Sequence, residues 1–316
     1  MNCPVPLFLP PMLAVRGSPF DSDAHWFEPK WDGIRCMVHS STRIYLHSRS
    51  GRDITGLFPE IVARPLLDAE NYLLDGELIC LAPEGVPSFD RVRSRLTLSD
   101  SARTASAARE YPAVFIAFDL LYCDGRSLLD TPLEKRRALL ENRFVPGGSC
   151  RLSPLTPREG KALFDAVARR NMEGIVAKAL GSPYLPGKRS AAWIKVRRTR
   201  TDVFWLIGYS LDPGGKIRSL ALADETADGL RYAGHVGSGM TEKEGERLLK
   251  LLAGSHHADP MRYGVLSPTA RATEWIEPKI KVHVEYLERT PWGRLRHPVF
   301  RGVAGPQGAR TARRNR

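Results

Sequence analysis

Cysteine is scarce and scattered. The 316-residue chain holds five, Cys3, Cys36, Cys80, Cys123 and Cys150, with no C-x-x-C pair. An odd, widely spaced set argues against a zinc site and a disulfide framework, and for a reducing compartment. Cys36 and Cys80 sit within apolar runs and read as small core residues. Long apolar runs are missing too. None reaches membrane-spanning length, so no membrane partner is expected. Met1 to Arg16 lacks a charged segment followed by an apolar one, so no secretory leader is expected. Acids are in deficit: 35 Asp and Glu stand against 47 Lys and Arg, a formal net charge of +12. That surplus favours a polyanionic partner, most simply nucleic acid, although ribosomal and membrane-surface proteins share it. No internal repeat is present.

What is there is the composition of a globular protein, 42% hydrophobic and 26% charged, at a length that suggests two domains. Cys36–His39 and Ile44–His47 read as strands joined by a polar turn. Tyr72–Cys80 and Ala113–Leu121 read as buried strands interrupted by acids. Thr131-Pro132-Leu133-Glu134 and Thr156-Pro157-Arg158-Glu159 both predict a helix start, with an N-cap Thr, an N1 Pro and an N3 Glu. Strands and helices mixed in this way, over residues 1–200, imply an α+β domain. Beyond Arg200 the texture changes. Short strands are expected at Asp202–Ser210, Ile217–Ala223, Leu230–Val236 and Trp275–Leu287. Asp212-Pro213-Gly214-Gly215 reads as a hairpin turn, and Thr241-Glu242-Lys243-Glu244 caps one helix running to about Leu252. Such a set suits a small β-barrel of the OB type over residues 201–303. The Gly-, Ala- and Arg-rich tail to Arg316, taken from Val303 or Ala304, reads as basic and disordered.

The chemistry centres on Lys30-Trp31-Asp32-Gly33-Ile34-Arg35, a K-x-D-G-x-R hexapeptide. A lysine amine attacks an electrophile only without its proton, a state favoured by apolar walls and nearby cations. Trp26, Phe27, Trp31 and Ile34 can supply the wall and Arg35 the cation. The bland reading is a solvated lysine before an Asp-Gly turn. Four further charged segments interrupt apolar runs, where a charge is costly unless it is paired or binds something. They are Asp75-Gly76-Glu77, Phe118-Asp119, Glu173 to Lys178, and Trp193-Ile194-Lys195-Val196-Arg197. In the last, Lys195 and Arg197 share one strand face. Each also has an ordinary explanation: Phe118 as core, Glu173 and Lys195 as an ion pair, Asp75 as a turn cap, Lys188 and Arg189 as a solvated patch.

The order Lys, Glu, aromatic-Asp, Glu, Lys-x-Arg resembles the nucleotidyltransferase motifs of ATP-dependent DNA ligases. Within that family it is similar to the small bacterial type, the ligase domain of bacterial end-joining ligases. Ser48-Arg49-Ser50-Gly51-Arg52, Gly234-His235-Val236-Gly237-Ser238-Gly239 and Gly293-Arg294-Leu295-Arg296-His297-Pro298-Val299-Phe300 add to the resemblance, which covers roughly residues 10–302. It implies a nucleotidyltransferase (ATP-grasp-like ligase) domain followed by an OB-fold. It implies that Lys30 is the nucleophile that takes AMP from ATP, then passes it to the 5′-phosphate of a nick in duplex DNA. Further implied roles are Glu28 on the adenine edge, Phe118 stacked on adenine, Arg35 and Glu77 on the ribose, and Lys195 and Arg197 on the α-phosphate. Arg49 would grip the nick 5′-phosphate, with Lys188 also on DNA. Glu173 and Glu77 would hold Mg²⁺ or Mn²⁺. The resemblance implies a cytoplasmic, nucleoid-associated repair enzyme, with DNA end-binding or repair polymerase proteins as partners.

In one place the chain departs from the family. An R-x-D-K-like motif that orients pyrophosphate is expected after the Phe-x-Gly stretch, yet Phe300-Arg301-Gly302 runs into Val303-Ala304-Gly305-Pro306-Gln307. Arg301, Arg310 or the Arg296-His297 pair are candidate stand-ins. The alternatives are an RNA ligase, a capping guanylyltransferase, or a catalytically weak DNA-binding homologue.

Overall fold

Where apolar residues alternate or run together, the chain forms strands. The computed structural model describes residues 5–264, 273–290 and 292–305. The chain divides into two compact units, Met1–Arg198 and Thr199–Arg316. In the first, chain order runs β1 (Leu13–Arg16), β2 (Ser22–Pro29), β3 (Ile34–Ser40), β4 (Ile44–Ser48), α1 (Pro59–Val62), β5 (Tyr72–Cys80), α2 (Phe89–Arg95) and α3 (Ser101–Glu110). It continues with β6 (Ala113–Cys123), β7 (Arg126–Ser127), α4 (Leu133–Arg143), β8 (Cys150–Leu152), β9 (Thr156–Arg158), α5 (Gly160–Arg169), β10 (Gly174–Ala179) and β11 (Arg189–Arg197).

These strands make two sheets, ordered β1-β11-β10-β2-β9 and β4-β3-β5-β6-β7, the second with β8 also paired to β6. In the first, β1 runs parallel to β11 and the other ladders are antiparallel. Strand alternation then sorts the side chains. Phe27, Ile175, Ala177 and Val196 turn to one face of the first sheet and pack with Val167 of α5. Ile34, Cys36, Leu74, Leu78 and Phe115 turn to the outer face of the second and pack under Phe58, Ile61, Val92 and Leu140. The two inner faces meet through Met37, Leu73, Phe118 and Leu121 on one side and Met12, Tyr184 and Trp193 on the other. So the sheets are stacked, with a mixed polar and apolar seam between them.

The second unit holds β12 (Arg200–Leu211), β13 (Ile217–Thr226), β14 (Gly229–Val236), α6 (Glu242–Leu252), β15 (Thr273–Tyr286) and β16 (Val299–Ala304). Its sheet runs β14-β13-β12-β15-β16. The outer strands come back together: the Leu295 N–H donates to the Ala233 carbonyl at 2.9 Å, and the Phe300 N–H to the Ser238 carbonyl at 2.8 Å. Phe204, Leu220, Val282, Val284 and Phe300 fill the interior, and Leu248 and Leu252 of α6 cover it. That is the small barrel expected from the strand spacing.

Local signals were right at one helix start, placed a second helix correctly but not its cap, and failed at a third. Thr241 caps α6 in a full capping box with Glu244. At α4 the capping residue is Pro132, not Thr131, and no side chain caps it. Glu134 instead accepts the Gly181 N–H at 2.8 Å. The Thr156–Glu159 box does not form at all. Thr156 and Pro157 pair with Phe27 and Trp26 as β9, and α5 starts at Gly160. Pro157 can sit there because β9 is an edge strand, where a missing N–H is tolerated. The expected basic tail also starts later than Val303, since Val303 and Ala304 belong to β16. Its remainder, residues 306–316, lies outside the described residues, as does Arg310. No described helix is long and apolar enough to cross a membrane.

Candidate active site

Lys30 follows directly on β2, and its N–H donates to the Gly174 carbonyl at 2.8 Å. Glu173 immediately precedes β10. Gly174 has a φ of 143°, and a Cβ there would lie 2.0 Å from the Val196 carbonyl oxygen. Only glycine therefore lets the start of β10 run this close to β11. The close approach brings three charges together. Lys30 Nζ donates to Glu173 Oε2. Arg197 Nε lies 3.0 Å from Glu173 Oε1, as an ion pair without hydrogen-bond geometry. Glu173 is buried, so the cations on its two oxygens offset much of its desolvation. The partner of Glu173 is thus Lys30 and Arg197, not Lys195.

The cavity beside this cluster has a volume of about 230 Å³ and lies between the two sheets. All the residues predicted for the site line it except Glu173, which touches Lys30 from behind, and Lys188. Lys188 is exposed in the turn before β11, and its neighbour Arg189 reaches the cavity instead. Register explains the convergence. Val176 of β10 stands opposite Glu28 on one side and Lys195 on the other, while Lys178 stands opposite Trp26 and Trp193. From the second sheet, Arg35 stands opposite Glu77. Lys30, Lys195 and Arg197 gather at one end of β10, and Phe118, Trp193 and Lys178 at the other.

At the aromatic end, Lys178 is buried with its Nζ 2.7 Å from Glu28 Oε1. The same ammonium donates to the Phe118 carbonyl at 3.2 Å and stands 4.4 Å from the Phe118 ring and 4.5 Å from the Trp193 ring. Burial lowers the Lys178 pKa, against the pull of Glu28. Arg35 is held by Asp75 through two bonds of 2.5 Å, and Tyr184 donates to the same carboxylate at 2.6 Å. Its guanidinium lies 4.7 Å from the Phe118 ring. Burial works against the Arg35 charge, but the Asp75 pairing outweighs it and raises the pKa.

At the cationic end, burial and then Arg197, Arg189 and Lys30 lower the Lys195 pKa. Burial pushes the Glu77 carboxyl up to about 7, against the attraction of Lys30 and Arg35. Among the described residues no group of three or more His, Cys, Asp and Glu stands ready to hold a metal ion. The charges of Glu77 and Glu173 act on each other across the site, and both oxygens of Glu173 already face cations, Lys30 and Arg197. Arg49 is exposed and lines both this cavity and a shallow neighbour with Ser48, Ser50 and Arg52.

Two expectations need correction. Of the apolar wall, only Trp31 lines the cavity; Phe27 and Ile34 belong to the cores on the outer faces of the sheets. Asp75 does not cap a turn. It lies wholly buried within β5 and holds Arg35, so Arg35 is paired rather than free to act on Lys30. Sequence reasoning gives Lys178 no role and reads Arg189 only as part of a loop touching nucleic acid or of a solvated patch. For Lys178 the signal was a charge inside Ile175–Ala179. For Tyr184 and Trp193 no local signal existed, because their roles depend on the stacking of the two sheets.

The sequence matches the ATP dependent DNA ligase domain over residues 11–197 and the ATP dependent DNA ligase C terminal region over residues 213–304. The multifunctional non-homologous end joining protein LigD of Mycolicibacterium smegmatis is 36% identical over 301 residues, which cover 93% of this chain and 38% of that protein. This chain therefore spans well under half the length of that curated relative. A structure of mycobacterial DNA ligase D complexed with ATP and MES aligns at a TM-score of 0.55 and 34% identity, covering 95% of this chain and 96% of the other. A Lig E DNA ligase aligns at a TM-score of 0.63 but 19% identity, over 92% and 98% of the two chains, which is a likeness of fold alone. The lysine-centred cavity lies wholly inside the first matched segment, and the barrel carries the second; the chain belongs to the ATP-dependent DNA ligases, with a nucleotidyltransferase domain followed by an OB-fold domain.

Proposed function

We propose that this protein seals 5′-phosphate/3′-hydroxyl nicks in duplex DNA, using ATP and a covalent Lys30–AMP intermediate. The observation that carries the reading is the position of Lys30. Its amine contacts Glu173 at the cationic end of a cavity whose other end is aromatic. A nucleotide needs both ends, one for phosphates and one for a base.

In the first step Lys30 Nζ attacks the α-phosphate of ATP and pyrophosphate leaves. Lys195 and Arg197 stabilise the charge on the phosphate oxygens. Phe118 packs against adenine, Glu28 accepts from its edge, and Arg35 with Glu77 holds the ribose. Phosphoryl transfer also needs a divalent cation, Mg²⁺ or Mn²⁺. Glu77 and Glu173 would hold it, and it would neutralise charge at the transferring phosphate. In the second step AMP passes to the 5′-phosphate of the nick, which Arg49 grips. In the third the 3′-hydroxyl attacks and AMP leaves. LigD relatives are named for non-homologous end joining, so double-strand break repair, with an end-binding or polymerase partner, is the setting this likeness favours.

Incubation with ATP labelled at the α-phosphate tests the reading. Labelled protein should appear and should discharge on addition of nicked duplex. The absent R-x-D-K-like motif favours a second reading, a catalytically weak DNA-binding homologue. No label, with DNA binding intact, is the outcome that supports it.

A further inference from the structure

The cationic end of the cavity carries more positive charge than a single phosphate calls for. Lys30 and Arg197 share Glu173. Lys195 and Arg189 also line the cavity, and Arg16, outside the lining, acts on Lys195 from β1; among the described residues none of these three forms an ion pair. Arg16 of β1 stands directly across the ladder from Lys195, so both project to the same face of the sheet. Arg189 lines the cavity at the start of β11. One of its Nη atoms donates to the Ala14 carbonyl at 2.6 Å, which fixes the guanidinium at the mouth and leaves its other N–H groups available. Arg197, Arg189, Lys30 and Arg16 all act on Lys195. Like charges gathered on adjoining strands repel one another and cost stability. They are compensated when a polyanion binds.

We propose that Arg189 and Arg16 form a pyrophosphate subsite at the mouth of the cavity, which holds the β- and γ-phosphates of ATP during attack by Lys30. The proposal rests on the ligase reading above. As Lys30 Nζ bonds to the α-phosphorus, the bond from that phosphorus to the oxygen bridging to the β-phosphate breaks. The electron pair leaves on pyrophosphate, and the amine proton leaves along the hydrogen bond to Glu173. Arg189 and Arg16 stabilise the charge that accumulates on the leaving group. The fork of a guanidinium suits this task, since it binds phosphate oxygens in pairs. Two of the stand-ins suggested by the sequence, Arg301 and Arg296, fit it less well. Arg301 is held by Glu285 and Arg296 by Glu288, both within the second unit.

The test compares binding of ATP and AMP to the full chain, by calorimetry, for the wild type, Arg189→Ala, Arg16→Ala, Arg189→Lys and the double alanine variant. Thermal melts check that each variant is folded. The wild type should prefer ATP. Arg189→Ala should lose roughly tenfold or more in ATP affinity but less than about twofold in AMP affinity, the size expected for a lost charged hydrogen-bond pair. Arg189→Lys should recover part of the loss, and the double variant should bind the two nucleotides almost equally. Pyrophosphate-driven reversal of the Lys30–AMP adduct should slow in parallel. Equal losses of ATP and AMP affinity, or no loss, would overturn the subsite and make Arg189 a prop for Ala14. A wild type that binds ATP no tighter than AMP would overturn it as well. A wild type that prefers ATP, loses the preference on mutation and yet forms no adduct would refute the ligase reading and leave the subsite standing.

Discussion

Lys30 owes its standing to what lies within reach of its amine: a buried carboxylate, and an arginine on that carboxylate's other oxygen. Lys30→Ala and Lys30→Arg should both abolish the AMP adduct, since a guanidinium stays protonated and is no nucleophile. Gel autoradiography with α-labelled ATP reads the result directly, and label surviving in either variant would place the nucleophile elsewhere. The site also stands on buried charges that never touch a nucleotide. Asp119, next to Phe118, binds Arg136 through two bonds of 2.7 and 2.8 Å, and both side chains are fully buried. Arg136 also donates to the Thr131 and Ser182 carbonyls, which ties α4 to the sheet. Asp119→Ala leaves that guanidinium uncompensated and should cost roughly 3–5 kcal/mol of stability. Urea unfolding measures this; a loss below 1 kcal/mol or so would mean that water reaches the pair.

Secondary-structure elements formed where their own residues and their neighbours agreed. The α6 start shows agreement. Thr241 Oγ1 accepts the Glu244 N–H at 3.3 Å, and the Glu244 carboxylate accepts the Thr241 N–H at 2.8 Å. Thr241→Ala should destabilise the protein by about 1 kcal/mol, as for other lost N-caps. Chemical denaturation would detect it, and no change would mean the helix is held by Leu248 and Leu252 alone. Thr156-Pro157-Arg158-Glu159 shows disagreement. Its local sequence asks for a helix start, but the Phe27 and Trp26 edge of β2 offers a ladder, and the ladder wins. At Asp75-Gly76-Glu77 the glycine is needed because a Cβ would lie 2.3 Å from the Phe115 ring. The strand thus keeps two acids facing the cavity side while an aromatic packs against its backbone.

For the molecule as a whole, the deciding quantity is the net charge of +12. If it serves duplex DNA, binding should weaken steeply with salt, with a log–log slope of about −0.9 per phosphate neutralised. Fluorescence titrations of a nicked duplex over a range of salt would give the slope. A slope near zero would assign the charge to another purpose. Sequence preference should be slight, because phosphate contacts carry no base information.

Much of this protein was legible before any coordinates. Tyr72–Cys80 was read as a strand over its whole length, because continuous apolar content leaves few alternatives for a short buried segment. The lysine, the paired carboxylates and the Lys-x-Arg face were legible for a related reason: a charge in an apolar run is too costly to be idle. The tertiary structure alone decided which charges meet. Glu173 lies 143 residues from Lys30 along the chain, and Asp75 lies 109 from Tyr184. Contacts at such separations depend on sheet order and register, which no local pattern encodes. The same holds for the cations at the cavity mouth. The sequence offers Arg16 as an ordinary surface residue, and the parallel pairing of β1 with β11 sets it opposite Lys195.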